Sequence, residues 1–145
     1  MTTYTVAQGT RSSAVLALGT LASATYVTSS AIDLGSAIPL DVTFEVECNP
    51  NGTPTGNKQL VVFAKLSLDN TNWGSGPESG TTATEEADLH FIDVIPTNDT
   101  NDHRKFCRLA GLPITRYIKL VVKNDMGVAL SSGNVYRADI TGVGT

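Results

Sequence analysis

Apolar and polar residues alternate most regularly between positions 40 and 48 of the chain. Leu40, Val42, Phe44, Val46 and Cys48 occupy the even positions, and Asp41, Thr43, Glu45 and Glu47 occupy the odd ones. Successive side chains of a β-strand point to opposite faces, so this pattern predicts a strand with its apolar side chains in the core and its acids in solvent. Residues 60–68 begin with an almost unbroken apolar run, which predicts a central strand covered on both faces.

Shorter strand-like segments follow along the rest of the chain, separated by turns rich in Gly, Pro, Asn and Asp. The predicted segments are 25–28, 32–34, 89–95, 105–109, 114–123, 128–130 and 135–140. Asn124 to Gly127 has the composition of a hairpin turn, which would return residues 128–130 beside 114–123. With about seven to nine short strands and no helical periodicity, the chain is predicted to be all-β, as an antiparallel β-sandwich or barrel.

The first 24 residues carry a weaker pattern than the rest of the chain. Their one charge is Arg11, and the apolar stretch from Ala14 to Leu21 has neither strand alternation nor helix caps. We therefore expect residues 1–24 to form either an extended N-terminal arm or a first strand. A chain of 145 residues suits one domain, which we place at residues 25–145.

The composition is that of a folded domain with few charges. Charged residues make up 17% of the chain and apolar residues 41%, and the net charge is −4. This is enough apolar material to close a core. A negative net charge argues against general nucleic-acid binding. No apolar run has the length of a transmembrane helix, and the N-terminal sequence lacks the features of a signal peptide, so we expect synthesis in a cytoplasm and no membrane partner.

Residues that carry chemistry are few, and their spacing matches no catalytic or metal-binding motif. Cys48 and Cys107 have no CxxC arrangement and no histidine at ligand spacing, so we expect two free buried thiols and no metal. The segment 85–93 holds four acids, for which a solvated strand edge is the main interpretation and a glycosidase-type carboxylate pair the alternative. We therefore predict no catalytic residues, no cofactor and no enzymatic activity.

Trp73 is the only tryptophan and lies in a loop rich in glycine. One interpretation is that its ring closes an open end of the sandwich. The alternative is a carbohydrate-binding module, with a sugar platform formed by Trp73 and the nearby Asp69 and Asn72. That alternative requires Trp73 to be exposed together with a second aromatic side chain.

Basic residues are unevenly distributed along the chain. Six of the ten lie between positions 104 and 123, whereas Arg11 is the only one among the first 57 residues. One interpretation is a dispersed set of solvated charges. The other is a basic face, opposite an acidic face formed by residues 41–47, that docks on an acidic protein partner. The candidate partner-binding residues are Arg11, Arg104, Lys105, Arg108, Arg116 and Lys119.

Several short phrases between Leu21 and Thr141 resemble the capsid decoration, or cement, proteins of tailed phages. They are Ala31-Ile32-Asp33-Leu34-Gly35, Pro39-Leu40-Asp41-Val42, Thr55-Gly56-Asn57-Lys58-Gln59, Ser67-Leu68-Asp69-Asn70-Thr71-Asn72-Trp73, Arg116-Tyr117-Ile118-Lys119 and Val122-Lys123-Asn124-Asp125. The resemblance implies a jelly-roll or related β-sandwich that binds the major capsid protein on the outside of the shell, as a homo-dimer or homo-trimer. It carries no catalytic motif with it.

The sequence as a whole therefore leads to one expected function and two alternatives. We expect a non-enzymatic structural protein of the virion, made in the host bacterial cytoplasm, that binds the capsid surface and stabilises the shell. The alternatives are a carbohydrate-binding β-sandwich module and a component of a phage tail or fibre.

Overall fold

The computed structural model describes residues 3–144, so the first two residues of the predicted arm and the last residue of the predicted domain lie outside the described residues. Within residues 3–144 the regular structure consists of ten β-strands and one turn of 3-10 helix, Glu86–Asp88. The strands are β1 (Tyr4–Gln8), β2 (Leu16–Ala17), β3 (Tyr26–Thr28), β4 (Ile32–Asp33), β5 (Asp41–Pro50), β6 (Gln59–Ser67), β7 (His90–Pro96), β8 (His103–Arg108), β9 (Tyr117–Asn124) and β10 (Leu130–Gly144). The predicted all-β fold is confirmed.

The strands form two antiparallel sheets that pack against each other as a β-sandwich. Sheet 1 has the order β1-β10-β5-β8, and β2 also pairs with β10. Sheet 2 has the order β3-β9-β6-β7, and β4 also pairs with β9. Among the described strands, β6 and β7 are the one pair of sequence neighbours that hydrogen-bond to each other, because the other long connections cross between the sheets. This double-sheet connectivity is that of a jelly roll.

The core between the two sheets is built from alternating positions of the long strands. On β5, Val42, Phe44, Val46 and Cys48 are buried, as their alternation predicts. Burial of each valine or phenylalanine side chain contributes about 1.5–3 kcal/mol to folding. Leu40 has the same parity but is 68% exposed, because β5 begins one residue later and Leu40 extends beyond the part of sheet 1 that sheet 2 covers. The expectation that Leu40 belongs to the core is therefore wrong.

Strand β6 is central and is covered on both faces, as its apolar run predicts. It lies between β7 and β9 in sheet 2. Leu60 and Val62 belong to the core between the sheets. Val61 and Phe63 point to the opposite face and form a second apolar cluster with Leu89 and neighbouring side chains. The long loop of residues 68–89 therefore packs on the outer face of sheet 2.

The N-terminal segment forms an outer strand of sheet 1, and residues 3–24 contain no extended arm. β1 pairs with residues 140–144 of β10, and the amides of Gly9 and Leu18 continue the hydrogen bonding to carbonyls of the same strand. Leu16, Leu18 and Leu21 are buried in the core. The sequence pattern of this segment is weak because it pairs with the far end of the chain and exposes most of its side chains to solvent.

The predicted hairpin at residues 124–127 is wrong, because β9 and β10 belong to different sheets. The buried side chain of Asn124 organises the crossing: its Nδ2 donates to the carbonyls of Leu21 and Val128, and its Oδ1 accepts from the amide of Met126. Gly127 has a φ of +82°, a left-handed conformation that glycine adopts without strain. The chain then enters sheet 1 at Leu130, so residues 128–130 do not return beside β9.

Candidate functional site

The six candidate basic residues lie in ion pairs and do not form a separate basic face. The pairs are Arg11 with Glu45, Arg104 with Glu45 and Glu47, Lys105 with Asp93, Arg108 with Asp41, Arg116 with Asp33, and Lys119 with Glu78. β5 and β8 are neighbours in sheet 1, and the register places Glu47 directly opposite Arg104. The acids of β5 and the arginines of β8 therefore share one face and neutralise each other, which corrects the expectation of opposed acidic and basic faces.

These surface pairs set local geometry more than they add stability. Arg116 donates to both carboxylate oxygens of Asp33, at 2.7 and 2.8 Å. The arginine hydrogen bonds lower the pKa of Asp33 to about 2. Exposed pairs of this kind contribute little to folding, because water and salt screen the charges. Their main effect is to pair charges of opposite sign on the outer face of sheet 1 and beside β4 and β9 of sheet 2.

Lysines hold the 68–89 loop against the outer face of sheet 2. Lys65 is buried, and its Nζ donates to the Gly76 carbonyl at 3.0 Å and to Glu78 Oε1 at 2.9 Å. Lys119 lies opposite Lys65 in the register of β6 and β9, and its Nζ is 3.4 Å from both oxygens of Glu78. The hydrogen bond from Lys65 lowers the pKa of Glu78. Lys119 thus binds the chain's own loop.

The predicted sugar platform is occupied by contacts within the loop. Trp73 is half-buried, and the ammonium of Lys119 lies 4.5 Å from the centre of its ring. The carboxylate of Asp69 accepts hydrogen bonds from the amides of Thr71 and Asn72 and from the side chain of Asn72. These bonds, led by the Asn72 amide, lower the pKa of Asp69. Within residues 3–144 the aromatic rings in mutual contact are Phe63 and Phe91, so no second ring is in contact with Trp73.

Two acids of segment 85–93, Glu86 and Asp93, are bound to different lysines. Glu86 accepts hydrogen bonds from Lys123, at 2.9 Å, and from the hydroxyl of Tyr26. Asp93 accepts from Lys105 at 2.8 Å, which ties β8 of sheet 1 to β7 of sheet 2. In the described part of the chain, no three His, Cys, Asp or Glu side chains are grouped so as to hold a metal ion.

Cys48 and Cys107 are free and buried, as predicted. Cys48 lies opposite His103 and Cys107 opposite Phe44, so the two thiols are offset along adjacent strands. Burial raises the pKa of each thiol to about 12. Both therefore stay protonated and unreactive while the protein is folded.

One end of the sandwich is the surface that the sequence analysis missed. At this end β5 and β9 begin and β8 and β10 finish. Large apolar side chains are exposed here; we define Tyr4, Val6, Ile38, Leu40 and Ile114 as the apolar end. Leu40 and Ile114, at 68% and 81% exposure, line a groove of about 220 Å³ together with Leu34, Ile38, Leu109 and Leu112.

A two-stranded ribbon extends the apolar end beyond the sandwich. β5 begins at Asp41 opposite Ile140, so residues 141–144 of β10 pair with β1 alone. Val6 lies opposite Gly142, which places both on the same face of the ribbon. A Cβ built on Gly142 would lie 3.3 Å from Cδ1 of Leu40, so Leu40 covers this glycine and connects the ribbon to the groove.

The residues of the apolar end could not be grouped from sequence. Leu40 follows the core alternation, and Tyr4 and Val6 belong to the weakly patterned N-terminal segment. The one sequence feature that bears on this surface is the pair of glycines at 142 and 144, which leave Val6 and Tyr4 without a side chain opposite them. This feature becomes informative only when the register of β1 and β10 is known.

Comparison with known protein families finds no family model that matches this chain, and comparison with curated proteins finds no match either. Residues 3–144 include no helix of the length and apolar character needed to cross a membrane.

Proposed function

We propose that this chain is a non-enzymatic structural protein of a phage virion, which binds the major capsid protein on the outside of the shell and stabilises it. The observation that carries the proposal is the apolar end. Contiguous exposed apolar surface on a soluble domain is typical of a surface that binds a partner. The sequence phrases that resemble decoration proteins supply the identity of the partner.

Four of the six phrases surround the apolar end. Residues 31–35 contain β4, residues 39–42 contain Leu40 and the start of β5, residues 116–119 open β9, and residues 67–73 follow the end of β6. The groove lined by Leu34 and Leu40 lies among these segments. Two of these segments contribute Leu34, Pro39 and Leu40 to the lining of the groove, which supports this end as the docking surface.

The apolar end has the layout of a protein interface. Its centre is aliphatic, with Leu40 and Ile114, and ion pairs flank it: Arg108 with Asp41, and Arg116 with Asp33. An apolar centre with a polar rim is the usual arrangement of protein interfaces. Burial of the centre contributes about 25 cal/mol per Å² of apolar surface, and a repeated lattice multiplies modest contacts by avidity.

The proposal is tested by adding purified protein to shells that lack it. We expect binding at micromolar concentration and greater resistance of the shells to heat. Ile114→Lys and Leu40→Lys should weaken binding at least tenfold, on the order of 1.4 kcal/mol or more, because each puts a charge into the apolar centre.

A matched control is Phe106→Lys. Phe106 is also exposed and apolar, but it lies away from the apolar end, on the outer face of sheet 1, where it is the cross-strand neighbour of Glu45. It should bind as the unmodified protein does. No binding of the unmodified protein would overturn the proposed function, and equal loss in all three variants would overturn the assignment of the apolar end.

A further inference from the structure

The outer edge of β1 is open and lacks the devices that protect the other sheet edges. β8 carries Arg104, Lys105 and Arg108, β7 has a register irregularity and a charge at Asp93, and β3 and β4 are only three and two residues long. Charges, irregularities and short length all discourage edge-to-edge pairing. β1 is five residues long, and residues 3–10 carry no charge, no proline and no irregularity against β10.

The backbone of β1 presents hydrogen-bonding groups outward at alternate residues. The amide of Gly9 donates to the carbonyl of Asp139, which fixes the phase of the ladder. Because antiparallel pairs alternate between bonded and non-bonded positions, the amides and carbonyls of Tyr4, Val6 and Gln8 point away from β10. No other strand within residues 3–144 pairs with this edge.

The side chains of the same residues lie on the outer face of sheet 1, the face of Thr43 and Glu45. Val6 lies opposite Gly142 and shares the face of Ile140 and Ala138, which pair with Asp41 and Thr43. Tyr4 and Val6 are 78% and 72% exposed on this face. The ribbon is a two-stranded extension with an uncovered apolar face, and such ribbons are marginally stable in water by themselves.

We propose that the open edge of β1 pairs with β1 of a second copy of this chain, antiparallel and about a two-fold axis at Val6. The pairing places Val6 opposite Val6 of the other copy and Tyr4 opposite Gln8, with about six backbone hydrogen bonds between the copies. The uncovered faces of the two ribbons then lie side by side as one apolar row.

Charge favours a second copy as the occupant. A two-fold axis brings identical residues together, so any charge near Val6 would meet its own like charge. Residues 3–10 and 140–144 are entirely uncharged, and Arg11 beyond them is bound to Glu45. A five-residue strand buries less than the roughly 800 Å² per partner of a standard stable interface, so the dimer forms reversibly at micromolar or higher concentration.

Sedimentation of the free protein over a range of concentration tests the pairing, which specifies the homo-dimer that the resemblance to decoration proteins implies. We expect a monomer–dimer equilibrium. Val6→Lys and Val6→Pro should each raise the dimer dissociation constant at least about tenfold, the first by like-charge repulsion and the second by removing an outward N–H. Circular dichroism should be unchanged, because neither substitution removes a hydrogen bond to β10. Thr100→Lys, in the exposed turn between β7 and β8, is the control of equal charge and should dimerise normally.

Cysteine cross-linking tests the register. Val6→Cys should form a disulfide-linked dimer on mild oxidation, whereas Thr5→Cys should not, because this register sets Thr5 opposite Ala7 of the other copy. A protein that stays monomeric at all concentrations, or a dimer insensitive to both Val6 variants, overturns the inference. Shell binding measured separately distinguishes that failure from failure of the proposed function.

Discussion

Asn124 offers the sharpest test of how the two sheets are connected. Its buried side chain forms three hydrogen bonds to main-chain groups, at 2.9 Å to the Leu21 carbonyl, 2.8 Å to the Val128 carbonyl and 3.0 Å from the Met126 amide. Asn124→Ala removes all three at once. It also leaves buried main-chain groups without these partners in the loop that carries the chain from sheet 2 to sheet 1.

The expected loss follows from the number and burial of these bonds. Each intramolecular hydrogen bond contributes about 0.5–1.5 kcal/mol net, and a buried group left unpaired costs about 1–3 kcal/mol. Leu21 retains one bond, since its carbonyl also accepts from the Leu130 amide. We therefore expect Asn124→Ala to lower the free energy of unfolding by about 3 kcal/mol.

Urea unfolding followed by circular dichroism measures this change. The matched control is Asn57→Ala, because Asn57 is exposed and forms a single side-chain bond to Asp125. The control should change the free energy of unfolding by no more than about 0.5 kcal/mol. A loss below about 1 kcal/mol for Asn124→Ala would refute the reasoning, because three buried hydrogen bonds would then contribute no more than a single hydrogen bond usually does.

Asn124→Asp adds a dependence on pH with a definite sign. The carboxylate would face two carbonyl oxygens in a buried site, so its folded-state pKa would rise above the ordinary value of about 3.9. An acid whose pKa is higher in the folded state than in the unfolded state destabilises the folded protein increasingly as pH rises above the unfolded-state pKa. The variant should therefore be closest to the unmodified protein below about pH 4 and least stable at neutral pH.

Three further predictions concern other parts of the fold. Gly133→Ala should destabilise by about 2 kcal/mol or more in thermal unfolding, because its Cβ would lie 2.7 Å from the Glu47 carbonyl oxygen; an unchanged melting temperature would contradict this close approach. Asp33, with a pKa of about 2, contributes stability that is present above about pH 4 and is lost as pH falls toward 2. If an NMR titration gave Asp33 an ordinary pKa near 3.9, its carboxylate would not be hydrogen-bonded to Arg116 as described. Cys48 and Cys107, with pKa values of about 12, should react with a thiol reagent at pH 8 only after unfolding.

The candidate site was only partly predictable, because its residues depend on contacts between distant parts of the chain. The sequence clusters six basic residues between positions 104 and 123, but the register of β5 and β8 pairs Arg104 with Glu47. Trp73 was noticed as an isolated aromatic residue, but Lys119 of β9 lies over its ring. Neither contact has a local signature, so neither could be read from composition or spacing.

Local patterns determined the fold class and the long strands. Alternation along β5 specifies a strand because successive side chains point to opposite faces, one buried and one in solvent. The apolar run of β6 specifies a strand that is buried on both faces. Turn residues separate the strands, and low charge with sufficient apolar content selects a folded all-β domain. Buried, unpaired cysteines also follow from the sequence alone, since both lie on apolar faces without a motif for another use.

Tertiary structure decided which strands are neighbours and where their apolar faces end. The local composition of residues 124–127 suits a hairpin, yet the hydrogen bonds of Asn124 direct the chain into the other sheet. Leu40 continues the alternation of β5 but extends past sheet 2, and Val6 is exposed because the register with β10 places it on the outer face of sheet 1. Burial depends on what the opposite sheet covers, so two residues with the same local pattern become core in one place and docking surface in another.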